Sequence, residues 1–152
     1  MRHANTPPTP IRLLAALLAL VVAGCASAPA PQLEPAVAAA PVSLEEQWGV
    51  QVVGIRMSAA GQMLDFRYRV VDPVKAAPLF VRKTKPYLID LKSGASLVVP
   101  VPAKTGPLRS SNTPLAGRTY FMFFGNAGKL VQPGNRVTVV VGDFRAENLT
   151  VQ

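Results

Sequence analysis

Few side chains in this chain are equipped for chemistry. Its 152 residues include one cysteine, Cys25, and one histidine, His3. A serine nucleophile activated through an imidazole needs a histidine within the folded domain. A lone cysteine excludes an internal disulfide and a multi-cysteine zinc site. The carboxylates are Glu34, Glu45, Glu46, Asp65, Asp72, Asp90, Asp143 and Glu147, and only Glu45 and Glu46 are adjacent. Neighbouring side chains on a strand point to opposite faces, so that pair makes no acid/base dyad there. No serine opens an S-x-x-K run, and there is neither a glycine-rich phosphate loop nor a calcium-loop spacing. The expectation is a protein that is not an enzyme and holds no cofactor or metal. The soft donors left are Met57, Met63 and Met122. Thioethers suit monovalent copper, and Met57 and Met63 flank a turn across which they would face each other. The competing reading is that these methionines fill gaps in a core.

Charge is the feature with a pattern. The chain carries 16 Lys and Arg against 8 Asp and Glu. Between Lys75 and Arg118 there are eight basic residues and one acid, Asp90, a local excess of +7. Such a block attracts lipid headgroups, lipopolysaccharide phosphates, acidic peptidoglycan stems or an acidic protein. The candidates for contact with an anionic partner are Lys83, Lys85, Lys104 and Arg109. The bland alternative is that solvated lysines keep the domain soluble. Basic residues are not interleaved with aromatics as a single-strand nucleic-acid platform requires, and no nucleic-acid partner is expected. Ala103 to Gly117, with Gly106, Pro107, Asn112 and Pro114, reads as a long loop, and such loops often bind ligands.

The elements that position these residues begin with an address. Residues 1–12 carry Arg2, His3 and Arg12 without an acid, and Leu13 to Val22 is an uncharged apolar run. About 20 apolar residues are needed to span a bilayer, so this shorter run has the length of a secretory signal core. It ends in Val22-Ala23-Gly24-Cys25, which resembles the lipobox of bacterial lipoproteins. The resemblance implies cleavage after residue 24 and diacylglyceryl attachment to the Cys25 thiol. It also implies acylation of the new amino terminus. Two or three acyl chains anchor stably where one holds marginally. Ala26, in place of an aspartate, implies transfer to the outer membrane with the domain facing the periplasm.

Residues 25–43 follow as a spacer of alanine and proline. Pro29, Pro31, Pro35 and Pro41 interrupt any helix, and the composition buries no core. Extended at about 3.1 Å per residue, the segment reaches roughly 50 Å.

Residues 44–152 read as one all-β domain. Met63 to Val70 alternates, with Leu64, Phe66, Tyr68 and Val70 on one face and Asp65, Arg67 and Arg69 on the other. Trp48 to Met57 precedes it as a strand, and Ser58 to Gln62 supplies a glycine-bearing turn for a hairpin. Further strands are expected at Tyr87–Leu91, Ser96–Val101, Arg118–Phe124, Val137–Val141 and Leu149–Val151. Asp72-Pro73 starts a helix of one turn. Tyr120 to Phe124 is apolar on both faces, which fits a central strand or one that docks on a partner.

About seven short strands with regular turns point to a single antiparallel β-sandwich of immunoglobulin-like type, with a small β-barrel as the alternative. Leu130 to Val139 is similar to a late segment of fibronectin type III domains, with Val137 where that segment usually carries a tyrosine. The chain thus reads as a lipid-anchored binding or accessory module of the cell envelope. Its alternatives are a structural subunit of an envelope assembly and a methionine-based metal-handling lipoprotein.

Overall fold

The structure is a computed structural model that describes residues 43–152. The leader, the Cys25 lipobox and most of the Ala/Pro spacer lie outside the described residues. No helix among the described residues is long and apolar enough to cross a membrane.

A short helix, α1 (Leu44–Trp48), opens the described region. Ser43 caps it by accepting from the Glu46 amide while the Glu46 carboxylate accepts from the Ser43 amide, a complete capping box. Gly49 ends it in the left-handed conformation at φ 61°, and a Cβ there would lie 2.6 Å from the Asp72 carbonyl oxygen. Only glycine meets both demands. Trp48, expected at the start of a strand, is therefore the last residue of this helix.

Two antiparallel sheets follow. The first has the order β1-β2-β5, with β1 at Val50–Ser58, β2 at Met63–Val70 and β5 at Thr119–Gly125. The second has the order β4-β3-β6-β7, with β3 at Tyr87–Asp90, β4 at Ser96–Val98, β6 at Arg136–Val141 and β7 at Phe144–Thr150. The fold is all-β, with little helix beyond α1 and the single turn of α2 (Pro73–Ala76). The Asp72 carboxylate caps α2 by accepting from the Val74 and Lys75 amides, as the Asp-Pro pair predicts.

The alternation in β2 survives intact: Leu64, Phe66, Tyr68 and Val70 are all fully buried. They join Leu88, Val137, Val139, Phe144 and Ala146 of the second sheet in one apolar cluster. β1 reaches the same cluster with a change of phase. A register shift between Val52 and Gly54 leaves Val53 60% exposed and turns Ile55 into the core.

Three expectations need correction. The last strand is β7, beginning at Phe144 rather than Leu149, and it pairs with β6 through a two-residue loop, Gly142-Asp143. Gly142 takes a φ of 61° at the first loop position, where a II′ hairpin turn calls for glycine. β5 is not a central strand: β2 flanks it on one side and only the irregular segment Leu108–Ser110 on the other. Its inner residues Tyr120, Met122 and Phe124 are buried, whereas Phe121 is 37% exposed and Phe123 partly so. Finally, Asp65 lies on the outer face as expected but is buried, covered by the arginines that bind it.

Buried polar side chains hold the connections. Asn126 is fully buried and donates to the Gly61 and Val131 carbonyls, each at 2.9 Å, while its Oδ1 accepts from the Val131 amide at 3.0 Å. One amide side chain thereby ties the β5–β6 connection to the β1–β2 turn. Asp90, also buried, accepts from the Ser93 hydroxyl and amide at 2.6 and 3.0 Å and closes the β3–β4 turn. Burial by itself would raise its pKa. The hydrogen bonds from Ser93, Lys92 and Asn135 outweigh that effect and hold the carboxyl below its ordinary value.

Candidate functional site

Among the described residues lies a groove of about 740 Å³, within the range of small-molecule sites. Three segments build it. Residues 82–87 lead into β3, Ser96, Val98 and Val99 come from β4 and its exit, and Val101, Pro107 and Arg109 come from the following loop. Its walls are apolar where Pro86, Tyr87, Val98, Val101 and Pro107 line it, and its charged groups are Arg82, Lys85 and Arg109. No carboxylate lines it.

The antiparallel register explains the apolar wall. Tyr87 pairs with Val98 and Ile89 with Ser96, so these side chains share the outer face, while Leu88 and Leu97 point to the core. Val98 and Val101 remain 64% and 67% exposed. Two neighbouring, unpartnered valines beside free cations make a surface suited to a ligand with both an apolar and an anionic part.

The three cations are not equivalent. Arg109 is 7% exposed, and its Nη2 and Nη1 donate to the Val81 and Thr84 carbonyls at 2.8 and 3.1 Å. Burial lowers its pKa from the ordinary value, and the neighbouring Tyr68 opposes that shift. The Tyr68 hydroxyl is enclosed without a hydrogen-bond partner, and burial pushes its pKa well above the usual tyrosine range. Tyr68 thus stays neutral and Arg109 stays charged. The guanidinium clamps the loop that carries Arg82 and Lys85. Arg82 and Lys85 are exposed, and among the described residues neither forms an ion pair.

The four residues selected from the sequence separate accordingly. Lys85 and Arg109 line the groove, the second in a structural capacity. Lys83 and Lys104 are exposed and do not line it. Arg82, which belongs to the site, was not singled out within the basic block. No local pattern in the sequence separates it from the adjacent Lys83. Ala103 to Gly117 does contain a site segment, but Leu108–Ser110 within it is pinned to β5 by bonds from Ser110 N to Phe121 O and from Phe123 N to Leu108 O, each 2.9 Å.

No family model, curated protein or solved structure matches the chain. Its chemistry therefore has to be read from the groove and from the faces around it.

The outer face of the first sheet is the second distinct surface. Arg67 stands opposite Phe121, and Asp65 opposite Phe123. Asp65 Oδ2 accepts from Arg56 Nη2 at 3.1 Å and Arg67 Nε at 2.9 Å, and its Oδ1 is buried without a partner. The Phe121 and Phe123 rings lie 5.3 Å apart. The methionines form no common site. Met57 pairs with the inward Leu64, whereas Met63 pairs with Ser58 one position further along, so the two point to opposite faces. Met122 is fully buried in the core. Among the described residues no cluster of His, Cys, Asp and Glu has the arrangement of a metal site.

Proposed function

We propose that this chain is a lipid-anchored, non-enzymatic binding module of the bacterial envelope, which meets an anionic component through the groove at Arg82 and Lys85. The observation that carries the reading is the groove's composition: cations at its margin, an apolar wall, and no acid. Val22-Ala23-Gly24-Cys25 supports the anchor, and the positive leader and apolar run support export. Ala26 supports an outer-membrane position facing the periplasm.

The domain is read as an immunoglobulin-like β-sandwich. Its strand orders, β1-β2-β5 and β4-β3-β6-β7, are those of an A-B-E sheet and a C′-C-F-G sheet. One apolar cluster drawn from both sheets is what a sandwich requires.

The test is retention on immobilised lipopolysaccharide and on peptidoglycan fragments in low salt. Arg82→Gln with Lys85→Gln lowers retention several-fold, while Lys83→Gln with Lys104→Gln, which removes equal charge away from the groove, leaves it near the parent. Equal retention of both double variants rejects the groove. Mass spectrometry of the processed amino terminus tests the anchor separately, and an unmodified Cys25 thiol rejects it.

A second reading, a structural subunit that docks through the first sheet, is favoured by the outward Phe121–Phe123 pair. Phe121→Ser would then abolish assembly and leave groove binding unchanged.

A further inference from the structure

The groove is an unusual anion site because its cations border an apolar wall instead of a polar track. A polyanion presents charge after charge and gives Val98, Val101 and Pro107 nothing to bind. Val98 and Val101, at 64% and 67% exposed, gain only from a partner that removes them from water. Arg82 and Lys85, without carboxylate partners, complement a single negative headgroup at the margin. Thr84 and Ser96 also line the groove, two residues whose hydroxyls have neutral hydrogen-bonding capacity. Arg109 fixes the Arg82–Lys85 loop through two carbonyls, so the backbone that carries these cations is held before a ligand arrives.

We propose that the groove binds a single-chain anionic lipid, with its acyl chain along Val98, Val101 and Pro107 and its phosphate between Arg82 and Lys85. This rests on the reading of the groove as an anion-binding site and assigns the class of ligand. The volume of about 740 Å³ admits one lipid monomer, and charge complementarity selects an anionic headgroup.

The experiment titrates the full chain carrying Cys25→Ser, which removes the thiol that would carry an acyl group of its own, with three probes. These are a short-chain lysophosphatidylglycerol below its micelle-forming concentration, lysophosphatidylcholine of the same chain, and glycerol phosphate. Calorimetry is expected to give saturable binding of the first, weakened by about tenfold or more for each of the others. Arg82→Gln with Lys85→Gln removes the preference for the anionic headgroup. Val98→Asn with Val101→Asn, both at exposed positions, removes the contribution of the acyl chain. These variants also control for lipid held elsewhere on the chain. Equal affinity for glycerol phosphate overturns the proposal, because the apolar wall then plays no part. Equal affinity for lysophosphatidylcholine overturns it, because the cations play none. If lysophosphatidylglycerol fails to bind while retention on peptidoglycan still depends on Arg82 and Lys85, the anion site stands and the lipid assignment falls. If neither depends on the groove, both fall.

Discussion

Arg109 crosses from the segment beside β5 to the Val81 carbonyl, 2.8 Å from its Nη2, and so links the margin of the first sheet to the loop that enters the second. A guanidinium suits this position because its planar fork reaches two carbonyls at once. Lysine has the charge without the fork.

Arg109→Leu leaves the Val81 and Thr84 carbonyls without their donor. Hydrogen bonds to charged groups contribute about 1.5–3 kcal/mol each, and Arg109 makes two of them. Denaturant unfolding is expected to show a drop of about 2–4 kcal/mol, with Arg109→Lys intermediate. A stability equal to the parent would show that the clamp holds nothing.

Asn126→Ala removes two donors and one acceptor from a fully buried position. The expected cost is again about 2–4 kcal/mol, because the Gly61 and Val131 carbonyls lose their partner inside the fold. Amide hydrogen exchange provides a local readout. Protection should fall first at Val131, whose amide donates to Asn126 Oδ1.

Asp90 gives the fold a pH dependence of definite sign. Its carboxyl titrates below the unfolded value of about 3.9. The stabilisation is therefore complete above that pH and disappears as the pH falls through the folded-state value. Asp90→Asn is expected to destabilise clearly near neutrality and much less in acid below the folded-state titration, where the parent has lost the same contribution. Thermal unfolding at the two pH values measures it, and an equal penalty at both would remove the carboxylate from the explanation.

Much of the fold is legible in local pattern because local pattern causes it. β2 alternates cleanly, and Asp72-Pro73 starts α2. Ser43 and Glu46 form a capping box for a helix that ends at Gly49, a signal present in the sequence though Trp48 was read as strand. β7 was truncated because Arg145, Glu147 and Asn148 give it a polar appearance, and its inner positions use the small Ala146 beside Phe144. The Gly142-Asp143 pair was the better clue. The edge position of β5 was not legible, since it depends on pairing with Leu108–Ser110 and with β2, which is distant in the chain. The site was legible only in part. Counting charges found the basic block and Lys85. It could not sort Arg82 from Lys83, because that depends on how three separate segments converge around Tyr87.

The far end of the chain bears on how the domain carries load. Val151 bridges Ile55 in parallel, the Gln152 amide donates to the Ile55 carbonyl at 3.0 Å, and the Met57 amide donates to the Gln152 carbonyl at 2.8 Å. β1 is thus gripped from both sides, by β2 and by these last residues. Tension applied ahead of Ser43 reaches β1 directly after α1 and meets those bonds in shear, where several must break together instead of unzipping singly. Under the proposed lipid anchor, a pull on the domain is braced at the strand that meets it first.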